Sequence, residues 1–365
     1  MTAGQPSRRR RLTTGLAILA TMVAYFLTAF PGVVQQLGAS GQARLVWPSS
    51  GLALAAVLIL GVRVWPGVAL GSFLTAVQLV GHGPLVAAGF AVGTTVGTLV
   101  AYVLLRRAGF KSDLARVRDA LALVLCGAVA GMAVGSAIRS GVLVLAGVES
   151  TGEYWVLVAR SWLGTGLGVL VITPFLLVLR GVARRPTISL WRLVEALGLV
   201  LCTVGVTWVV TTGEGRQGLF LVFPLLIWAA WRFQLYGAAP CVVAASVVTV
   251  YAALQGAGPF DGGDPQSALV TAQAFVAAIA ATTLFLAVAV TERNAAREEI
   301  DMACHDLVKV VSILDERLRP HDILTLDAAY GPSQDLDPRT EVGNSTTDID
   351  TQETRTEPIR HQPQE

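Results

Sequence analysis

Arg139 is the ionisable residue set deepest in apolar surroundings, flanked by Ala137, Ile138 and Val142 within the run Ala120–Ala146. A charge inside a bilayer costs several kcal/mol (about 2.5 or more) unless it is paired or hydrated, so an intramembrane arginine reads as an anion or ligand contact. The alternative is a side chain that snorkels to the outer interface from a long, tilted helix. Aromatic and charged residues gather near the ends of neighbouring runs: Trp47, Tyr154, Trp155 and Trp162, with Glu149, Glu153 and Arg160. Apolar walls with a few polar groups are the composition of a small-ligand site. Interfacial anchoring produces the same aromatics, and that reading stays open. His82 lies between Gly81 and Gly83, and a turn residue is the simpler account of it than a metal ligand. Cys126, Cys202, Cys241 and Cys304 show no paired spacing for zinc or a disulfide framework. No metal and no cofactor is expected.

A second constellation lies towards the C-terminus. Ile300, Cys304, Leu307, Val311, Leu314 and Leu318 alternate at spacings of four and three, the pattern of coiled-coil a and d positions, and Pro320 ends the helix. The expectation is a homodimer seam, made effective by tethering to a membrane bundle. His305 falls at a b position outside that seam. Its imidazole, oriented by Asp306, has the chemistry of a nucleophile towards a γ-phosphoryl group, which makes His305 a candidate phosphoacceptor. The sequence shows no nucleotide-binding kinase domain or P-loop, so a phosphoryl group would have to come from a separate protein; the other reading is a remnant dimer helix.

These residues must be positioned by membrane helices. Hydrophobic residues make up 53% of the chain and charged residues 14%, against about 25% charge in a soluble domain. Ten apolar segments are legible: 12–30, 46–62, 66–80, 85–105, 120–146, 161–179, 193–212, 219–231, 238–254 and 267–290. The third and eighth are short, so eight spans is the alternative to ten. The fold class is all-α, a polytopic transmembrane helix bundle. Arg8–Arg11 before the first run imitates a secretory signal, but no convincing cleavage site follows, and the run reads as the first span. Arginines concentrate on one side of the segments, which by the positive-inside rule is cytoplasmic and holds both termini. The lipid bilayer is the expected partner, with an unknown cytoplasmic signalling protein and no nucleic acid. The domain reading is a basic N-terminus (1–11), a membrane domain (12–291), a coiled-coil-like helix (292–319) and an acidic tail (320–365) too polar to order.

Two stretches carry the helix signals. In VWPSSGLALAAVLILGVRVWPGVALG, Trp47-Pro48 and Trp65-Pro66 each read as a helix start, because proline suits the first turn. The residues between the two tryptophans would cover about 27 Å as helix, placing the rings at opposite interfaces. Gly93 and Gly97, then Gly127, Gly131 and Gly135, then Gly164 and Gly168 recur at every fourth position. Small residues at that spacing let helices approach closely in lipid.

The doubled Trp-Pro stretch with Gly51, Gly61 and Gly67, followed by LLRRAG, SWLGTGLGVLVITPFLLV, FPLLIWAAWRF and QGAGPF, resembles the first type of membrane-associated sensor (MASE) domain. The resemblance covers roughly residues 12 to 293, and its most specific parts are the doubled Trp-Pro and the series Trp162, Gly164, Gly168, Pro174. It implies an input module of the bacterial plasma membrane that senses a small ligand or membrane state and passes a conformational signal to a cytoplasmic partner, without being an enzyme. One position departs from the pattern: the family often has an acidic residue where Thr165 follows Gly164. The usual diguanylate cyclase, phosphodiesterase and kinase signatures do not follow Glu292, so a stand-alone version is expected. IDMACHDL is similar to the phosphoacceptor box of one histidine-kinase class at Ile300, His305 and Asp306, but Met302, Ala303 and Cys304 depart from it. A solute transporter and a degenerate histidine kinase acting in trans through His305 are the alternatives. Few ionisable groups in the bilayer and no internal repeat argue against transport.

Overall fold

A computed structural model describes residues 5–38, 46–182, 190–213, 216–260 and 265–318, with side chains at 13–30, 46–182, 190–213, 218–260 and 267–313. The acidic tail 320–365 lies outside the described residues, as do the side chains of Arg8–Arg11, Leu314 and Leu318. The regular elements described are all helical: α1 (Gln5–Gly38), α2 (Pro48–Leu60), α3 (Trp65–Leu74), α4 (Pro84–Arg107), α5 (Val117–Ala122), α6 (Met132–Leu145), α7 (Tyr154–Val182), α8 (Leu190–Thr212), α9 (Val222–Leu254) and α10 (Pro265–Leu318). Two π-helical stretches continue the rods, Thr75–Leu79 after α3 and Leu123–Gly131 between α5 and α6. Among the described residues, eight helices are long and apolar enough to cross a membrane, and α2 is a shorter apolar helix. The bundle is a multi-pass membrane protein.

The difference from ten segments has two sources. Helix α2 has 13 residues, about 20 Å at 1.5 Å per residue, too short to cross alone. The eighth and ninth segments run together in α9, which is broken at Gln234 (φ 54°, ψ −144°). Both Trp-Pro pairs stand at helix starts, Pro48 in the first turn of α2 and Pro66 in that of α3. Gly61, at φ 92°, ends α2 in a conformation that side chains resist. Trp65 is 47% exposed, but Trp47 is 7% exposed and packs inside the bundle.

Glycine decides how closely the helices pack. Helix α2 lies on α7, where a Cβ on Gly51 would overlap the Gly168 carbonyl and a Cβ on Gly168 would overlap that of Trp47. The backbones fasten there as well: the Trp47 N–H donates to the Gly164 carbonyl (2.9 Å), and the Thr173 hydroxyl to that of Gly51 (3.0 Å). Pro174 follows, buried within α7. The two stretches that carry the family resemblance are thus the two sides of one contact. Helix α4 crosses α6 and the end of the π-helical stretch before it through Gly93, Gly97, Gly131 and Gly135; a Cβ on Gly97 would stand 2.8 Å from the Gly135 Cα. Gly67 meets α1 in the same way, its Cβ position lying 2.5 Å from the Ile18 carbonyl. These stripes pack within the chain, since larger side chains would separate the helices by more than dispersion contacts tolerate. The first half of α10 joins the core through Phe275, Ile279 and Leu284. The chain divides into two compact units after Met302.

Candidate functional site

Arg139 is 6% exposed, so the snorkelling alternative is overturned. Its Nη2 donates to Ser136 Oγ (2.9 Å) and Ser161 Oγ (3.0 Å), and Nη1 reaches Thr94 Oγ1 at 3.5 Å, the outer limit of a hydrogen bond. Ser136 is one turn back on α6, Ser161 is on α7 and Thr94 is on α4. Thr94 in turn accepts from Ser72 Oγ of α3 at 3.0 Å. On the other side, Ser136 Oγ lies 3.4 Å from Thr165 Oγ1. A polar chain therefore crosses four helices with one guanidinium at its centre. Bonds from a charged donor are about twice as strong as neutral ones, which offsets the desolvation of the cation.

A cavity of about 30 Å³ opens on this chain, lined by Ser50, Ser72, Thr94, Thr98, Arg139 and Thr165 among others. Trp47 and Tyr25 close it on the apolar side. Ser50 Oγ lies 2.7 Å from the carbonyls of both Trp47 and Thr165, tying the cavity to the glycine contact of α2 and α7. The π-helical stretch Thr75–Leu79 contributes Thr75 and Ala76 to the wall; such stretches turn side chains away from the regular helical register and recur at functional sites. The volume admits a water or two, since each needs about 10–15 Å³ on this measure. A larger guest requires the helices to part. Thr165, where the chain departs from the family pattern, stands directly on this cavity.

Of the aromatic cluster expected from sequence, the structure brings only Trp47 to Arg139. Trp162 instead ties α7 to the second π-helical stretch, where its Nε1 donates to the carbonyls of Ala128 and Val129, at 3.2 and 3.1 Å. It satisfies backbone groups that a π turn displaces. The Tyr154 hydroxyl reaches the Ala137 carbonyl at 3.3 Å, and its ring meets Trp155 edge-on. Trp155 is 75% exposed, Arg160 is half-buried, and Trp155, Arg160, Tyr154 and Trp162 all stand outside the cavity lining. Trp155 faces outward, Arg160 and Trp162 stand on other faces of α7, and Tyr154, which shares the helical face of Ser161 and Thr165, ties α7 to α6 without entering the cavity lining. His82 sits in a turn, its N–H bonded to the Ala76 carbonyl and its ring 5.0 Å from that of Phe90. Glu195 of α8 accepts a two-pronged pair of hydrogen bonds from Arg232 of α9, at 3.0 and 3.1 Å.

The residues that sequence reasoning missed are small hydroxyls: Ser50, Ser72, Thr94, Thr98, Ser136, Ser161 and Thr165. The available signal was their spacing, with Thr94 and Thr98 four apart and Ser136 three before Arg139, each pair on one helical face. It is a weak signal, because such side chains commonly bond their own helix, as Thr98 does to the Thr94 carbonyl (2.8 Å).

On α10, Ile300, Leu307 and Val311 are 62%, 64% and 60% exposed, and Cys304 and His305 are exposed too. Among the described residues no group of His, Cys, Asp and Glu is arranged to hold a metal ion.

No curated protein and no solved structure matches the chain. Residues 16–294, most of the chain, match the family model MASE1. With its helical bundle and the interlocked Trp-Pro and glycine stretches, the chain belongs to the MASE1 family of membrane-associated sensor domains and is a membrane sensory protein.

Proposed function

We propose that the cavity around Arg139 receives a small ligand with an anionic or strongly hydrogen-bond-accepting group, and that the signal leaves through α10. The observation that supports this most is a guanidinium buried at the meeting of α4, α6 and α7, lining a polar cavity too small for anything but water. A ligand entering it must favour a more open arrangement of those helices, and that differential affinity is what shifts a conformational equilibrium. The basic ends of the segments face the cytoplasm of a bacterial plasma membrane on this reading, with both termini there. The helix α10, on which Ile300, Cys304, Leu307 and Val311 are exposed, then pairs with a second copy or a cytoplasmic partner through the a/d series Ile300, Cys304, Leu307, Val311, Leu314 and Leu318. The chain acts as a non-enzymatic input element, and His305 stands beside the seam without a phosphotransfer role.

Cys304 supplies the readout. In a Cys202→Ser background, a ligand anion found by screening should change the rate at which Cys304 reacts with a water-soluble maleimide, and Arg139→Gln should remove that change. A bound ligand that leaves the Cys304 rate unaltered would refute signalling through α10. Leu307→Asp should weaken self-association by burying a charge in the seam; an unchanged sedimentation profile would place the pairing surface elsewhere.

A further inference from the structure

A second cavity lies at the end of the bundle where Arg106 and Arg107 close α4 and Arg180 approaches the end of α7. Its volume is about 500 Å³, within the usual range of about 300–1,000 Å³ for small-molecule sites. Its polar lining comes from Ser112, Asp113, Arg180, Gln234, Tyr236 and Thr291, over an apolar floor that includes Leu114 and Leu235.

Two features set it apart from a packing defect. Among the described residues, the non-glycine residues with positive φ are Leu114 (50°) and Gln234 (54°), and both line this cavity. Leucine rarely adopts such a conformation, and backbone held against preference collects at ligand clamps and switches. The second feature is electrostatic. Arg180 and Asp113 face one cavity, yet among the described residues neither forms an ion pair. Opposite charges that share a space without neutralising each other suit a guest that carries both signs.

We infer that this cavity is a binding site for a small zwitterion, its anionic group against Arg180 and its ammonium against Asp113, with hydroxyl and amide groups of Ser112, Gln234 and Tyr236 completing the contacts. The site is separate from the Arg139 cavity. It adjoins the root of the exit helix: Thr291 Oγ1 lies 3.3 Å from Gln234 Oε1, and the next residue, Glu292, accepts the Val117 N–H at 2.9 Å at the start of α5. Occupancy at Gln234 therefore bears on the point where α10 leaves the bundle. The same chemistry exists in a soluble zwitterion and in the headgroup of an aminophospholipid.

The test uses the full chain in phosphatidylglycerol nanodiscs, titrated with glycerophosphoethanolamine by calorimetry. Saturable binding is expected, weakened at least tenfold by Arg180→Gln and by Asp113→Asn, with glycerophosphoglycerol, which lacks the ammonium, at least tenfold weaker. Asp113 is on an exposed loop, so its variant should retain the wild-type size-exclusion profile even if the Arg180 variant does not. Repeating the titration in discs containing phosphatidylethanolamine separates the sources: loss of binding identifies the headgroup as occupant, and unchanged binding identifies a soluble zwitterion. No saturable binding in phosphatidylglycerol discs, or binding that survives both substitutions, overturns the proposal.

Discussion

The two cavities sit in seams built on opposite principles. Around Arg139, glycines bring α2 against α7 and α4 against α6 until backbone touches backbone, and the residual space holds no more than a water or two. Around Gln234, the helix is broken, the backbone is strained and the space is far larger. The first seam is closed by the absence of side chains, so any added atom must move a helix. The second is held open against local preference, so an added atom has somewhere to go.

The sharpest way to break the comparison is to add one methyl group to the closed seam. Gly168→Ala places a Cβ on the Trp47 carbonyl, and the expected loss is at least about 3 kcal/mol, the upper end of overpacking costs, seen as collapse of yield and melting temperature. A normal melting temperature would mean that the α2–α7 contact is looser than backbone-on-backbone packing. In the open seam the opposite sign is expected. Gln234→Gly relieves about 1–3 kcal/mol of backbone strain and gives back about 0.5–1 in glycine entropy. The net gain of about 1 kcal/mol should appear as a small rise in melting temperature. A fall would mean that the Gln234 side chain contributes more than its strained backbone costs. Least of all should follow from Pro48→Ala, about 0.5 kcal/mol, since only the pre-set φ is lost at a helix start.

What could be read from the sequence follows how local each cause is. Proline acts on its own φ, so the helix starts at Pro48 and Pro66 were legible, and a charge in an apolar run is costly wherever it stands, so Arg139 was legible too. The burial of Trp47 was not, because it depends on Gly168, far along the chain, being small enough to admit the Trp47 carbonyl. Helix ties hid among the aromatics for the same reason: nothing local tells Trp162, bound to the Ala128 and Val129 carbonyls, from Trp155, which faces outward. The interruption at Gln234 was legible as the gap between the segments 219–231 and 238–254, but its positive φ was not, since glutamine is an ordinary helix former and only the surrounding packing over-determines that conformation. The hydroxyls around Arg139 read as small packing residues until the fold aims them at one guanidinium.

On the proposed reading, Arg139 serves binding and not stability. Its desolvation cost and its hydrogen bonds nearly cancel, so Arg139→Gln should leave the melting temperature of the ligand-free protein within a few degrees of wild type. A thermal-shift screen of small carboxylates, phosphates and other anionic metabolites, run on both proteins in parallel, tests this directly. At least one compound should raise the melting temperature of the wild type and leave that of Arg139→Gln unmoved. Compounds that stabilise both proteins equally, or a variant that is itself severely destabilised, would contradict it.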